Sequence, residues 1–201
     1  GVQFHMRHRW IGWSEPGAKS DNGALTFATP HDPNPVSVQS EAVVLALGGA
    51  SWARLGSDGA WVSLLGARGV PIAPLQPANC GFDVGSAGRT GWTEHFKTRF
   101  AGQPFKSVAI AFTDSEKRSF HRKGEFVATD TGVEGSLIYA ASSLLRDEIA
   151  AHGSATLQLD LLPDKTPERV LAEVAHPRGS RTLSSHLKSR LGLDGIKASI
   201  L

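Results

Sequence analysis

Apolar positions along the chain follow two rhythms, and each predicts an element. The stretch "SVAIAF" (107–112) alternates strictly, setting Val108, Ile110 and Phe112 on one side and small residues on the other, the period of a strand with one buried face. "GEFVATD" and "ATLQLDL" also read as strands, so an antiparallel sheet or small barrel is expected here. Between them "EGSLIYAASSLLRDEIAAHG" places Ile138, Ala141, Leu145 and Ile149 at helical spacing and ends on Gly153, an amphipathic helix with its stop signal. In the tail, Thr166 followed by Pro167 starts a helix over "PERVLAEVAH". A last helix aligns Leu183, Leu187 and Leu191 before Gly192.

The N-terminal part has a different texture. Val2 to Trp13 is rich in β-branched and aromatic residues, the cluster "SEPGAKSDNG" reads as a turn, and "ALTFAT" completes a hairpin. "PHDPNP" makes a second turn and "VSVQS" a short strand. "AVVLAL" (42–47) is almost wholly apolar, as a strand buried on both faces of a parallel sheet would be. After two glycines comes a helix, capped by Ser57 or Asp58, that aligns Trp61, Leu64 and Leu65 and stops at Gly69. Prolines 71, 74 and 77 then forbid helix and mark an extended connector and a domain boundary.

Composition narrows the classes. With 201 residues, 40% of them hydrophobic, the chain can bury a real core. A net charge of +2 is far from the dense positive field of a dedicated nucleic-acid binder. The single cysteine, Cys80, excludes an internal disulfide and a C-x-x-C motif, and it reads as a buried small hydrophobe. No apolar run reaches the ~18 residues that span a bilayer, and no secretory signal is visible, so the expected place is the cytoplasm, without a membrane partner. Gly1 stands where an initiator Met would be, which points to a piece of a longer protein.

The candidate chemistry is sparse. Eight histidines are scattered, and His5 and His8 on a predicted strand point to opposite faces, so no metal site is expected. No G-x-S-x-G elbow accompanies Ser51. The charged stretch "TDSEKRSFHRKG" reads as a solvated hairpin tip. The loop after "AVVLAL" is more informative. Gly48 and Gly49 let a flat ligand approach the backbone, while Gly56, Ser57, Asp58 and Gly59 lead into a helix N-terminus suited to an anion. Arg54 adds a guanidinium between them. The bland alternative is an ordinary strand-loop-helix turn.

Four stretches, "AVVLALGGASWARLGSDGAW", "RGVPIAPLQPANCGF", "GEFVATDTGVEGSLIYAASSLL" and "LQLDLLPDKTPERV", resemble the BaiN-like family of bacterial NAD(P)/FAD-dependent flavoproteins. The resemblance covers most of Glu41 to Val170. It implies that Gly48, Gly49, Ser51, Arg54, Gly56 and Gly59 border FAD, and the helix start adds Ser57 and Asp58 to the expected cofactor-binding residues. It also implies that Thr129, Gly132 and Gly135 open a helix on the substrate side of a domain inserted into the FAD-binding domain. Leu47 stands where the family commonly has Thr, and the loop is shorter than its usual pattern. The family's N-terminal G-x-G-x-x-G is missing from this sequence.

The fold expected is α+β and multidomain: 1–76 as a remnant of an FAD-binding α/β domain, 77–165 as an antiparallel barrel-like insert, and 166–201 as a small helical subdomain. The resemblance implies an FAD-dependent oxidoreductase in which NAD(P)H reduces the flavin and the flavin reduces an unknown organic acceptor. Pyrophosphate and ribose contacts carry most dinucleotide affinity, so this chain alone is expected to bind FAD poorly. No catalytic acid or base is assigned. The rival reading is a non-catalytic barrel module holding an anionic partner such as RNA through "SEKRSFHRK" and Lys188, Arg190 and Lys197.

Overall fold

The computed structural model describes residues 1–14, 23–86 and 89–201, apart from the side chains of Ser86, Arg89 and Thr90, and the chain divides into two compact units, Gly1–Gln76 and Pro77–Leu201. In the first unit β1 (Arg9–Trp13), β2 (Leu25–Ala28) and β3 (Val36–Val38) form an antiparallel meander in sequence order. Most of the turn "SEPGAKSDNG" lies outside the described residues. The strand predicted from Val2 begins only at Arg9. Residues 1–8 are exposed, and Arg7 turns the backbone at φ 59°. That turn brings the His5 and His8 rings edge to face at 5.6 Å, correcting their expected placement on opposite faces.

The segment 42–47 is not a strand. Its backbone pairs with nothing among the described residues, and Val43, Val44 and Leu45 are 46%, 91% and 43% exposed. A strand buried on both faces needs neighbours that donate and accept along its edges, and composition supplies only the wish for them. A 3-10 turn, Ala53–Leu55, and a six-residue helix α1 (Trp61–Gly66) follow, with turns continuing to Gly69 at φ 75°. Trp61, Leu64 and Leu65 are half-buried.

The second unit is built on a five-stranded antiparallel sheet. Its strands are β4 (Phe82–Asp83), β7 (Pro104–Thr113), β8 (Ser119–Ala128), β9 (Gly132–Glu134) and β10 (Gln158–Asp160), in the order β10-β7-β8-β9-β4. The end strands β10 and β4 do not pair, so among the described residues the sheet does not close into a barrel. A small hairpin, β5 (Gly85–Ser86) with β6 (Arg89–Thr90), and a helix α2 (Glu94–Phe100) precede β7. Sequence reading passed over α2, although Thr93 caps it by accepting from the Phe96 N–H at 3.2 Å. Phe96 and Phe100, one turn apart, are buried.

Val108, Ile110 and Phe112 are at most 5% exposed and lie opposite Gly124, Arg122 and Phe120 of β8, but Ala109 on the other face is also buried, at 1%, so the strand is not limited to one buried face. Between Phe105 and Val108 a bulge inserts a residue, with Ser107 at φ 50°. The charged stretch is only partly a hairpin tip. Residues 119–124 belong to β8, where His121 and Lys123 are exposed on a strand whose neighbour Phe120 is half-buried. Charge marks the solvent side of a strand as readily as a loop.

Helix α3 (Ser136–His152) covers β8 and β9 and buries Leu137, Ile138, Ala141, Ser142 and Leu145. Gly153 ends it in the left-handed conformation, φ 81°, donating to the Ile149 carbonyl. Ser142 and Arg146 of α3 hold the start of the unit, donating to the Ala78 and Pro77 carbonyls respectively. The tail carries α4 (Pro167–Ala175), α5 (Leu183–Leu191) and α6 (Gly195–Ser199). Thr166 caps α4 ahead of Pro167, and Gly192 closes α5 at φ 69°.

Candidate functional site

The loop after 42–47 closes on itself. Gly48 turns the chain at φ 69°, and Trp52 and Ser57 exchange both main-chain hydrogen bonds at 3.1 Å. The 3-10 turn fills the space between them and Gly56 ends it at φ 86°. Gly59, at φ 71°, has no room for a side chain, because a Cβ there would lie 2.9 Å from the Ala50 Cβ. The sequence-predicted residues Gly48, Gly49, Ser51, Arg54, Gly56, Ser57, Asp58 and Gly59 thus share one compact loop. Ser51 and Arg54 are exposed, and Ser57 lies beside Gly48, at 3.4 Å from where its Cβ would be.

Beside this loop an open hollow of about 500 Å³ is lined by Leu45, Ala46, Leu47, Gly48, Trp61 and Leu65. The Trp61 indole N–H is buried and unpartnered among the described residues. Aliphatic side chains, an indole and a glycine give the hollow an apolar lining that suits a flat ring.

The anion site expected at the helix start is not built the same way. Helix α1 has only six residues, and Asp58 already accepts the Ala60 N–H at 3.0 Å while pairing with Arg9 at 3.1 Å. A carboxylate sits where a phosphate was expected.

In the second unit, Thr129, Gly132 and Gly135 come together at the entry to α3. The Thr129 hydroxyl accepts the Gly132 N–H at 2.9 Å, the Thr129 N–H donates to the Gly132 carbonyl at 2.8 Å, and the same carbonyl accepts from the Trp92 indole at 3.1 Å. Gly135, at φ 110°, is the residue from which α3 starts. These glycines have packing reasons. A Cβ on Gly132 or Gly135 would come within 1.9 Å of the Phe82 carbonyl oxygen or 3.3 Å of the Phe126 Cα.

A hollow of about 200 Å³ opens beside them, lined by Gly81, Phe82, Asp83, Thr129, Val133 and Glu134. Asp83, whose carboxylate accepts from the Thr131 hydroxyl, and Glu134 were missed from the sequence. They are single acids in unremarkable contexts, and only the antiparallel pairing of β4 with β9, which sets Asp83 opposite Gly132, brings both to the rim of one hollow.

Five of the cations invoked by the rival reading have internal partners. Arg118 binds Asp114 at 2.6 Å, Lys188 binds Asp194 at 3.1 Å, and Arg190 binds Glu173 at 2.5 Å. Lys123 pairs with Asp164 at 2.5 Å, and the Lys197 ammonium donates to the Ser107 and Leu161 carbonyls at 3.1 and 2.9 Å. Burial lowers the Lys197 pKa below the usual lysine value, although Asp160 and Asp164 pull the other way.

Among the described residues no helix is long and apolar enough to cross a membrane, and no group of three or more His, Cys, Asp or Glu is placed to hold a metal ion. A family model described as HI0933-like protein barrel and H2TH domain matches residues 76–201, more than half of the chain, and takes in both the five-stranded sheet and helices α4 and α5. A search of curated proteins returned no match.

Proposed function

The chain belongs to the HI0933-like protein barrel and H2TH family, a flavoprotein-related family, and we propose that it forms part of an FAD-dependent oxidoreductase. The family match over 76–201 carries this reading. The hollow beside Gly48 supports it, with a lining suited to a flat ring.

In this proposal Gly48 and Gly49 let the ring lie against the main chain, and Trp61 and Leu65 shield one edge from water. Ser51, Arg54, Gly56, Ser57, Asp58 and Gly59 form the loop that holds those glycines in place. Thr129, Gly132 and Gly135 fix the entry to α3 on the substrate side. Bound FAD supplies the hydride chemistry, with NAD(P)H as electron donor and a small organic molecule as acceptor. The residues here position and exclude water. The Asp58 carboxylate already accepts the N–H ahead of α1, so that N–H is not part of a pyrophosphate site.

The test is to purify the natural gene product carrying this chain, record its visible absorbance, and titrate it anaerobically with NADH and NADPH. A yellow protein bleached by either nicotinamide is the expected result. A colourless protein that takes up no added FAD overturns the proposal.

A further inference from the structure

We propose that the end of the helical hairpin where α4 hands over to α5 is a docking surface for an acidic amphipathic helix of a partner protein. Helix α4 packs against α5, yet none of its nine residues is fully buried. Its apolar residues recur at helical spacing, with Leu171 and Val174 one turn apart and 69% and 44% exposed. Leu183, the first residue of α5, is 56% exposed and stands one turn before His186, whose Nε2 reaches the Glu173 and Val174 carbonyls. That contact ties the two helix ends together, so Val174 and Leu183 lie at the same end of the hairpin. Clustered aliphatic side chains left in water, with polar residues around them, mark an interaction surface.

Charge selects the partner. The connection between the helices carries Arg178 and Arg181, both exposed, and among the described residues neither pairs with a carboxylate, the Arg181 side chain donating instead to the Ser189 hydroxyl at 3.2 Å. The acids of α4 are already engaged. Glu168 accepts from its own N–H and from the Thr166 hydroxyl, and Glu173 pairs with Arg190 at 2.5 Å. Further along α5, Lys188 pairs with Asp194 at 3.1 Å. The hairpin end thus sets Leu171, Val174 and Leu183 beside guanidinium groups without counter-ions, and a helix with leucines on one face and carboxylates next to them complements both. A second copy meeting through the same face would set Arg178 and Arg181 against their own kind. A helix that enters a lipid surface buries a broad apolar face with aromatic residues, and α4 has none. Nucleic-acid phosphates gain nothing from Leu171, Val174 and Leu183.

Fluorescence anisotropy of the full chain with a stapled, dye-labelled helix of leucine and glutamate tests this, the control being the same helix with lysine in place of glutamate. The glutamate helix is expected to bind saturably and about tenfold more tightly than the lysine helix, with amide NMR shifts confined to α4, the connection and the start of α5. Leu171→Glu and Arg178→Glu should each weaken binding about fivefold or more while the melting temperature stays at the parent value, because both side chains lie in water. If a variant fails to fold, the shift map on the parent chain decides. No saturable binding, equal binding of the lysine helix, full binding in both variants, or shifts that map elsewhere overturns the proposal. So does a preference for phosphatidylglycerol vesicles or for a single-stranded oligonucleotide over the glutamate helix.

Discussion

Gly132 of β9 lies so close to Phe82 of β4 that a Cβ on the glycine would sit 1.9 Å from the Phe82 carbonyl oxygen and 2.7 Å from the Asp83 Cα. Both obstacles are main chain, so no rotamer change relieves them. Gly132→Ala is expected to cost more than about 3 kcal/mol and to detach β4 from the sheet. Gly124→Ala meets only the Leu137 side chain, at 3.3 Å, and should cost about 1 kcal/mol. Urea unfolding of the two variants beside the parent chain checks the ranking.

His186 is 2% exposed, and its Nε2 reaches the Glu173 and Val174 carbonyls at the end of α4, at 3.2 and 3.3 Å. Leu171, in the middle of α4, is 69% exposed. His186→Ala should therefore destabilise the helical pair by about 2 to 3 kcal/mol through lost packing and orphaned carbonyls. Leu171→Ala should stay within about 0.5 kcal/mol. Thermal melts followed by circular dichroism would show the inversion of the usual expectation for a histidine and a leucine.

Acid should loosen the β7–β8 tip. Burial opposes ionisation of Asp114, yet the Arg118 side chain, its N–H and its charge bring the carboxyl below its ordinary value. The Ser115 N–H does the same for Glu148 against a burial effect of opposite sign, with help from the Ser115 hydroxyl. Folded pKa values below the unfolded ones mean that the stabilisation is complete above the unfolded carboxyl range and is lost as pH falls through the folded values. Stability should be level above about pH 6 and decline below about pH 5. Asp114→Asn should start lower and decline less over that range in a series of melts.

Lys197 joins α6 to the β7 bulge and to Leu161 through two carbonyls. Lys197→Met keeps much of the aliphatic stem and removes both donors. A loss of about 1 to 2 kcal/mol is expected, with α6 releasing before the sheet. Hydrogen exchange at Ala198, whose N–H donates to Asp194, distinguishes local release from global loss.

For the flavin proposal, the sharpest variant is Gly49→Val in the natural gene product. A Cβ at position 49 meets only the Ser57 hydroxyl, at 3.9 Å, so the loop itself tolerates it. A branched side chain there should weaken flavin retention at least about tenfold by standing between ring and main chain. Fluorescence of released FAD measures this, and unchanged retention would remove Gly49 from the site.

Much of the second unit is legible from short windows. The alternation of Val108, Ile110 and Phe112, the helical spacing of Ile138, Ala141 and Leu145, the Thr166-Pro167 start and the Gly153 and Gly192 stops all act over a few residues, and the structure contains each. The segment 42–47 shows the limit of the same reasoning. Its apolar run states that it prefers burial, but a strand exists only when another edge pairs with it, and that is a property of the neighbour. Similarly, nothing local in Gly132, His186, Asp83 or Ser115 announces a main-chain near-contact, a buried imidazole, a hollow or hydrogen bonds to residues 33 and 37 positions away. The sequence by itself determined the periodicities and caps, because those depend on torsions and contacts within one or two turns. Tertiary structure decided which glycines are sterically obligatory and which polar groups meet, because such contacts are fixed only when distant segments are brought to van der Waals distance.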